Sequence, residues 1–380
     1  MKAIIIGAGI GGLTTAIALQ QQQIQFEIYE AAPELKAVGA GIWLGGNAMN
    51  VYERLGLADA LKAPSIFLES VFIKDVKGQL LQFIDNLDIQ QRYGNATHAI
   101  HRGTLQQILA NAVKQPIHLG KRCVGINGNV VRFEDGTTDS ADVIIGADGI
   151  RSVVREQYVT KAQYRYSGQT CWRAIINTTL PPSEQVSSGE VWSRKGGVRA
   201  SISQVGDQQV YFWMTKAMPA GSKFSPAEAL TFIRRELAPF DLRIQDIVSR
   251  LDPDALIHGD LYDIQPLKQW YRGNVVLVGD AAHASTPNLG QGASQAIEDA
   301  YVLAAYLGQE SRPERTFAKY QARRLKRAKR VVDLSWMLGR LTSVKNTTGS
   351  LLRNYLIRHT PHRIARKQFD FLYGVDLNIE

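Results

Sequence analysis

Residues 3–12, Ala3-Ile4-Ile5-Ile6-Gly7-Ala8-Gly9-Ile10-Gly11-Gly12, decide the fold of this 380-residue chain. The apolar run predicts a parallel strand that is buried on both faces, and three glycines follow it in GxGxxG spacing. Gly7 permits a tight turn, Gly9 lets the backbone approach a pyrophosphate, and Gly12 lets the next helix pack close to the strand. The helix predicted over Leu13–Gln22 offers free N–H groups to phosphates.

A second predicted strand supports a dinucleotide site. Phe26-Glu27-Ile28-Tyr29-Glu30 ends in a carboxylate 18 residues after Gly12. An acid at about this distance accepts a hydrogen bond from a ribose 2′-hydroxyl. The pattern therefore predicts FAD or NAD, rather than NADP, at this site.

Two further glycine motifs follow predicted buried strands. Asp142-Val143-Ile144-Ile145-Gly146 leads into Ala147-Asp148-Gly149-Ile150-Arg151-Ser152, and Val275-Val276-Leu277-Val278 leads into Gly279-Asp280-Ala281-Ala282-His283, with Pro287-Asn288-Leu289-Gly290-Gln291-Gly292 behind it. Open α/β sheets bind ligands at the carboxyl ends of their strands. A GxGxxG motif alone indicates a dinucleotide, whereas its combination with the Gly279-Asp280 motif indicates a flavin.

Composition limits the class of protein. A hydrophobic content of 45% and a charged content of 21% are typical of a soluble globular protein, and there is no apolar span of 18 residues. Cys123 and Cys171 form neither a disulfide framework nor a metal-binding pattern. We expect two buried thiols in a reducing compartment, hence a cytoplasmic protein, and no metal site.

The net charge of +9 favours the capture of anionic ligands. The densest basic run, Arg323–Arg330, falls on a predicted helix, and we interpret it as a solvated helix face. Because no nucleic-acid-binding motif accompanies it, we expect no nucleic-acid partner.

The middle of the chain has a different pattern. Gln169–Asn177, Val198–Val205 and Gln209–Thr215 are predicted strands, several with polar–apolar alternation, which indicates a sheet with one face on a core or cavity. We therefore predict a discontinuous nucleotide-binding domain, an inserted and mainly antiparallel substrate-binding sheet domain, and a C-terminal helical tail. Their predicted bounds are, respectively, residues 1–70, 98–165 and 266–340; residues 71–97 and 166–265; and residues 341–380.

On its three glycine motifs the chain resembles the single-component, class A flavoprotein aromatic hydroxylases, nearest the branch of urate and salicylate hydroxylases and zeaxanthin-epoxidase-like proteins. The resemblance covers most of residues 1–330 and is most specific at Asp280. It implies the α/β fold of para-hydroxybenzoate hydroxylase, a Rossmann-like FAD-binding domain with an inserted sheet. It also implies FAD as cofactor, NADPH or NADH as co-substrate, and hydroxylation of a small aromatic or heteroaromatic substrate by O2 through a flavin C4a-hydroperoxide.

The same resemblance assigns cofactor contacts. It implies that Glu30 holds the adenosine ribose, that Arg102 contacts the ribityl-pyrophosphate stretch and that Asp280 binds a ribityl hydroxyl. It places Asp148 in a motif implicated in binding both FAD and NAD(P)H. A helix from about Ala293 to Leu307 would direct its N-terminal dipole at the flavin and stabilise the negative charge of the reduced ring. The complete set of predicted cofactor-binding residues is Gly7, Gly9, Gly12, Glu30, Arg102, Asp148, Asp280, Pro287, Gly290, Gly292 and Ala293.

Three residues are predicted to serve the substrate. In the urate hydroxylases an Arg on one strand and a Tyr ten to twelve residues further on contact the substrate, and Arg199 and Tyr211 match them in position. Those enzymes carry an Asp in the proline loop where this chain has Asn288, which removes a charge able to orient or deprotonate the substrate and argues against urate. Trp43 and Trp172 are candidates for a pocket wall or for core packing, and His283 for a structural role in the flavin loop.

Two other functional classes stay open at this point. Flavin reductases and dehydrogenases share the fold without inserting oxygen. A non-catalytic FAD-binding protein that contacts a membrane peripherally through the basic, partly apolar segment 323–366 is the other alternative. The oligomeric state is also open.

Overall fold

The computed structural model describes residues 1–35, 40–310 and 312–379. It is a mixed α/β structure with two large sheets, and a series of helices forms the C-terminal end of the chain. The α/β fold class with an inserted sheet, predicted from the glycine motifs, is confirmed.

Strands and helices are interspersed in the first part of the chain, and strands dominate its middle. In chain order they are β1 (Lys2–Ile6), β2 (Gln25–Tyr29), β3 (Gly41–Leu44), β4 (Ile66–Phe67), β5 (Ser70–Asp75), β6 (Leu80–Asp85), β7 (His98–His101), β8 (Ile117–His118), β9 (Cys123–Asn127), β10 (Val130–Phe133), β11 (Thr138–Ser140), β12 (Val143–Gly146), β13 (Tyr164–Asn177), β14 (Ser187–Trp192), β15 (Val198–Gly206), β16 (Gln209–Ala217), β17 (Ile257–Ile264), β18 (Tyr271–Arg272) and β19 (Val275–Leu277).

The helices are longest near the C-terminus. In chain order they are α1 (Ile10–Gln21), α2 (Gly46–Arg54), α3 (Ala58–Lys62), α4 (Asn86–Tyr93), α5 (Arg102–Ala112), α6 (Pro182–Gln185), α7 (Pro226–Leu237), α8 (Leu242–Ser249), α9 (Asp280–His283), α10 (Gly292–Gln309), α11 (Pro313–Thr342), α12 (Thr347–Arg358) and α13 (His362–Tyr373). Within the described residues, no helix is both long and apolar enough to cross a membrane.

The first sheet is built around β1. Its strands run in the order β18-β19-β12-β1-β2-β8, and all neighbours except β18 and β19 pair in parallel. The strands β1, β12 and β19 consist almost entirely of buried apolar residues because helices cover both faces of a parallel sheet. Their carboxyl ends therefore lie at one edge, which brings the three glycine motifs together.

The second sheet has the order β17-β13-β16-β15-β14-β5-β6 and is antiparallel except where β14 pairs with β5. One face of its central strands carries Trp172, Val198, Phe212 and Met214, and α7 and α8 cover this apolar face. Because successive side chains on a strand point to opposite sides, the neighbouring residues of β13, β15 and β16 form the other face. We call this other face the roof face; its members are Cys171, Arg173, Ile175, Arg199, Ser201, Ser203, Tyr211, Trp213 and Thr215.

The first residues of two helices, α1 and α7, follow from features of the local sequence. α1 begins at Ile10, three residues before the predicted start, because Gly9 is its N-cap and the glycines form its first turn. α7 begins at Pro226, and Ser225 and Glu228 form a capping box that satisfies the first backbone N–H groups. The domain bounds stay a prediction.

Candidate active site

The first glycine motif is packed against the second at the edge of the parallel sheet. Gly7 has a φ of +107°, and a Cβ atom there would lie 2.5 Å from the carbonyl oxygen of Ala147. A Cβ atom on Gly12 would lie 1.9 Å from the carbonyl oxygen of Gly7. Only glycine fits either position, since both the strand end and the helix approach one another at backbone distance.

Space for a ligand is left at Gly9, the second glycine of this motif. A Cβ atom on Gly9 would meet nothing within 4 Å, so the backbone there borders an open cradle. Gly9 caps α1 without any side-chain hydrogen bond, and there is no acid in the first turn. The first N–H groups of α1 are therefore available to a phosphate group, with the helix dipole in the favourable direction.

Glu30 follows β2 and lies beside the same loop. Its carboxylate accepts hydrogen bonds from the backbone N–H groups of Ala8 and Ala32, both at 2.8 Å. Each carboxylate oxygen keeps a second lone pair for a ligand hydroxyl. The position is compatible with the predicted contact to a ribose.

Asp148, in contrast, is bound within its own motif. One oxygen accepts from the backbone N–H of Val154 at 3.1 Å, whereas the other is buried with no partner among the described residues. Burial raises the pKa of this carboxyl, and hydrogen bonds from Ser152 and the nearby backbone oppose that effect. Asp148 therefore shapes the turn after β12, and one of its oxygens has no hydrogen-bond partner among the described residues.

Asp280 begins the short helix α9 directly after β19. Its side chain is reachable by solvent, yet burial by the surrounding protein raises the pKa of its carboxyl, with His283 and Arg102 acting in the opposite direction. Asp280 is thus accessible to a ligand, although the surrounding protein disfavours the charged form of its carboxyl. Arg102, at the first position of α5, is close enough to influence this carboxylate, and its own guanidinium is exposed.

The proline loop leads from this aspartate to α10. Pro287–Leu289 forms one turn of 3₁₀ helix, and Gly290 adopts a left-handed conformation with a φ of +62°. α10 then begins at Gly292, and its N-cap Gln291 makes no side-chain capping bond. The N–H groups of Gly292 and Ala293 are thus not capped by the Gln291 side chain, and they could stabilise a negative charge.

A buried cluster of charged side chains connects the Asp280 loop to α10 and α11. Arg324 of α11 donates to Glu298 and to Asp299 of α10, the latter at 2.7 Å. Asp299 also accepts from the backbone N–H of Gly279 at 3.0 Å and contacts the ring of His283. Arg327 donates to Glu298 at 2.7 Å. We call Arg324, Arg327, Glu298, Asp299 and His283 the base cluster.

The base cluster corrects one interpretation made from the sequence. Arg324 is only 2% exposed, so the basic run Arg323–Arg330 is not simply a solvated helix face. Burial alone would raise the pKa of Asp299, but His283 and Arg324 together lower it to about 2. The cluster is charged, and it fixes the Asp280 loop to two long helices. His283 accordingly has a structural role.

The roof face meets the proline loop through one contact between candidate residues. Arg199 of β15 donates to the side-chain oxygen of Asn288. The amide nitrogen of Asn288 in turn donates to Thr286 Oγ1 at 2.9 Å and to the carbonyl oxygen of Ser335 at 3.1 Å. Arg199 also donates to Glu190 at 3.1 Å and to Thr215 at 3.2 Å. Both residues are buried, and both are well satisfied.

Tyr211 lies on the roof face over the cofactor-side residues. Its ring packs on Gly41, where an added Cβ atom would lie 2.6 Å from the ring carbons. Burial raises the pKa of its phenol well above the usual value, and Arg173 and Arg102 act to lower it. Its hydroxyl has no hydrogen-bond partner within the described part of the chain. Tyr211 thus lies between a roof arginine and the predicted FAD-binding arginine.

The aromatic candidates divide between the two faces of the sheet. Trp172 is fully buried in the apolar core, where its ring stacks on His258 at 4.8 Å between centroids. It therefore lines no pocket. Trp43 packs with Tyr211, and its indole N–H donates to Ser203 at 3.2 Å. Trp43 thus borders the roof face.

Comparison with known proteins settles the family. A family model described as an FAD binding domain matches residues 1–335. The chain belongs to this family. The FAD-binding residues predicted from the motifs fit the group chemically: uncapped helix N-termini and an open glycine cradle suit the pyrophosphate, and accessible carboxylates suit ribose and ribityl hydroxyls.

The relatives of this FAD-binding domain protein are monooxygenases and related flavoenzymes. The chain is 34% identical to the aurachin C monooxygenase/isomerase of Stigmatella aurantiaca, over 94% of each chain. It is 32% identical to the 2-heptyl-3-hydroxy-4(1H)-quinolone synthase of Pseudomonas aeruginosa, over 98% of each chain. The crystal structure of Klebsiella pneumoniae HpxO complexed with FAD and uric acid superposes with a TM-score of 0.90 and 28% identity, covering 100% of this chain and 98% of that one.

These likenesses confirm the predicted cofactor and enzyme class. The protein is an FAD-dependent monooxygenase of the aromatic hydroxylase type, and the alternative of a non-catalytic FAD-binding protein is wrong. The roles of the individual residues, and the choice between NADH and NADPH, stay predictions. Among the residues described, no group of His, Cys, Asp or Glu side chains is arranged to hold a metal ion.

The sequence motifs do not include two features of the FAD-dependent monooxygenase site. The base cluster had one visible signal, the adjacent acids Glu298 and Asp299 inside a mostly apolar helix. Arg173 had none, since its importance comes from its surroundings. Its Nε atom is buried on the roof face and, within the described residues, has no hydrogen-bond partner; the same is true of Ser201 Oγ.

Proposed function

We propose that this monooxygenase uses NADH or NADPH and O2 to hydroxylate a nitrogen heteroaromatic ring that carries a carbonyl group or its anion. The names of two similar proteins contain substrates or products of this type, a 4(1H)-quinolone and uric acid. Both molecules combine a flat ring with ring nitrogen and carbonyl oxygen. The proposal narrows the broader class of aromatic substrates predicted from the sequence.

The observation that carries the proposal is the pair of unpartnered donors on the roof face. Arg173 Nε and Ser201 Oγ are buried on the roof face, opposite the apolar core of the sheet. A buried donor without an acceptor costs free energy unless a ligand supplies one. A guanidinium group matches a carbonyl or enolate oxygen well, since it offers fixed N–H donors and a positive charge.

Aromatic side chains next to these donors would orient a flat ring. Trp213 lies directly across from both Arg173 and Ser201 in the strand pairing, and Tyr211 is two residues away on the same strand. Because its pKa is raised, the Tyr211 phenol stays protonated at neutral pH and can donate a hydrogen bond. We propose that the substrate lies between these rings and the flavin.

Arg199 then has a role other than the substrate contact that its position in the sequence predicts. Its guanidinium is already shared among Glu190, Thr215 and Asn288. We propose that the Arg199–Asn288 bond holds the roof face over the proline loop, and that Arg173 makes the direct charged contact with the substrate. An amide at position 288 accepts from Arg199 and leaves the pocket with one negative charge fewer than an aspartate would.

When bound, FAD supplies the redox chemistry that activates O2 and transfers one oxygen atom. The chain's own residues bind and orient. The uncapped N-terminus of α10 would stabilise negative charge on the ring system, and the buried roof would exclude water from the reacting atoms.

The first test is a search for the substrate with the FAD-loaded enzyme. Under anaerobic conditions, NADH or NADPH is mixed with the protein and with 4-quinolones, hydroxypyridines, purines or simple phenols, and flavin bleaching is followed. We expect carbonyl-bearing nitrogen heterocycles to accelerate bleaching more than phenols do. A preference for phenols would contradict the proposed substrate class, and product without label from 18O2 would contradict oxygen insertion.

The second test is the variant Arg173→Gln. Loss of a charged hydrogen bond of about 1.5–3 kcal/mol should raise the substrate Kd about 10- to 150-fold, while FAD stays bound. Arg234→Gln, an exposed arginine on α7 behind the same sheet, is the matched control and should have no effect. If both variants bind the substrate as the wild type does, Arg173 is not the anchor.

A further inference from the structure

α12 has the reverse of the burial pattern of an ordinary surface helix. It buries the polar residues Ser350, Arg353 and Asn354. It exposes its large apolar side chains instead: Leu351 is 44% exposed, Leu352 60%, Tyr355 60% and Leu356 58%. A surface helix normally places its apolar stripe against the core and its polar residues in water.

Specific contacts fix this orientation. The guanidinium of Arg353 donates to the carbonyl oxygen of Ser193 at 3.1 Å and lies over the ring of Trp192, 5.0 Å from its centroid. It also donates to Asn354 at 2.8 Å. The N-cap Asn346 closes the first turn through the N–H of Gly349 at 2.6 Å. The polar side of α12 is therefore anchored to the substrate sheet, and its leucines must face outward.

Along the chain, the charged residues of the segment that contains α12 and the first half of α13 have one sign. Residues 334–369 contain seven arginines and lysines and no Asp or Glu. Lys345, Arg358, Arg363, Arg366 and Lys367 are exposed. On α13, Ile364 is 57% exposed among these basic residues. We call the exposed side chains of α12 and the first half of α13 the tail surface.

We propose that the tail surface docks on a lipid membrane that contains anionic lipids. Exposed leucines with a tyrosine, surrounded by arginine and lysine, are the composition with which helices lie in a membrane interface. The apolar side chains would enter the boundary of the acyl chains, and the basic side chains would contact the negative headgroups. The helices are too short and too charged to span the membrane, so the contact would be peripheral.

Charge favours a membrane over a second copy of the chain as the occupant. A two-fold contact brings the same patch of each copy together, and here that would oppose basic residues to basic residues. An anionic lipid surface supplies the opposite charge over the whole width of the patch. The proposal is independent of the substrate, since no residue of the roof face belongs to the tail surface.

Flotation of the holoenzyme with lipid vesicles tests the proposal. One set contains equal parts of phosphatidylcholine and phosphatidylglycerol, and the other contains phosphatidylcholine alone. We expect the enzyme to float with the anionic vesicles and to bind the neutral vesicles at least about tenfold more weakly. Added salt should weaken the binding because it screens exposed charges. Failure to bind anionic vesicles, or equal binding to both kinds, would overturn the proposal.

Two sets of variants locate the contact. Leu352→Ser with Leu356→Ser should lower vesicle binding by at least about tenfold, since each removes a leucine that would be buried in lipid. The matched control is Leu242→Ser on α8, where the leucine is 82% exposed and far along the chain from the tail surface. Arg363→Gln, Arg366→Gln and Lys367→Gln should each cost about fivefold, whereas the exposed Lys223→Gln and Lys268→Gln should cost nothing.

All variants should retain FAD and oxidise NAD(P)H in solution as the wild type does, because none touches the cofactor residues. The molar mass of each variant in solution gives the decisive counter-check. If Leu352→Ser with Leu356→Ser converts a dimer to a monomer and leaves vesicle binding unchanged, the tail surface is a contact between copies and the membrane proposal is wrong.

Discussion

The base cluster and the roof face both bury arginines, and they differ in how those arginines are paired. Arg324 has two carboxylates as partners, and these are themselves bound to a backbone N–H, to His283 and to Arg327. Arg173, on the roof face, has a buried Nε atom without a partner among the described residues.

This difference separates what holds the site from what uses it. A fully paired network fixes its members in one arrangement, whereas a donor left unpaired in a desolvated place keeps its bonding capacity for a ligand. The base cluster fixes Gly279 and hence the Asp280 loop before any ligand binds. The roof face carries the donors that have no hydrogen-bond partner among the described residues. This arrangement is expected of a surface that selects the substrate above a firmly held cofactor.

The largest expected effect follows from breaking the base cluster. Arg324→Met should lower the free energy of unfolding by about 3–5 kcal/mol, because it leaves Glu298 and Asp299 buried without their main countercharge. Urea unfolding of the FAD-saturated protein measures this change. A loss below about 1 kcal/mol would mean that the cluster is relaxed by water or by Arg327, and the contrast with the roof would fail.

The base cluster should also make the free energy of unfolding depend on pH in the acid range. The pKa of Asp299 is lowered to about 2 in the folded protein, from an ordinary value of 3.8, so its ionised form stabilises the fold above the ordinary value. That stability is lost as the pH falls from about 4 towards about 2. The difference in stability between wild type and Asp299→Asn should therefore be constant near neutral pH and shrink over this acid range. A difference that does not change with pH would show that Asp299 is not ionised.

A smaller effect is expected at the cofactor. Asp280→Ala should remove a charged hydrogen bond to FAD of about 1.5–3 kcal/mol and so weaken FAD binding about 10- to 150-fold. Equilibrium dialysis or quenching of flavin fluorescence measures the Kd. Because Asp280 is accessible and has no place in the base cluster, the stability of the apoprotein should change little. Unchanged FAD affinity would remove Asp280 from the predicted contacts.

The parts of the site that the sequence revealed are local. A buried strand, its glycines and the next helix occupy about 20 consecutive residues, and the steric need for glycine at Gly7 and Gly12 acts within that segment. The same holds at β19 and the Asp280 loop. Strand and motif could therefore be predicted together, and with them the edge at which FAD binds.

The parts of the site that could not be predicted from the sequence depend on residues far apart in the chain. Glu298 and Arg324 lie on different helices, and only the packing of α11 against α10 makes the arginine a buried partner instead of a surface charge. Arg173 is one of several polar residues on a predicted strand. Its meaning depends on the pairing of β13 with β16 and on the helices that cover the opposite face, and neither can be obtained from the strand itself.

The smallest expected effect is on the stability of the roof. Arg173→Met is the same substitution as Arg324→Met. It is made at an arginine that, within the described residues, is not paired with carboxylates as Arg324 is. Because the buried Nε atom of Arg173 has no partner among the described residues, replacing this side chain should change the free energy of unfolding of the FAD-saturated enzyme by no more than about 0.5 kcal/mol, although substrate binding suffers. The pair of variants, unfolded in urea side by side, thus compares a charge that supports the fold with one held for a ligand. If Arg173→Met destabilised the protein as much as Arg324→Met, the guanidinium would be a structural element of the sheet, and the substrate's charged contact would have to be sought at Arg199.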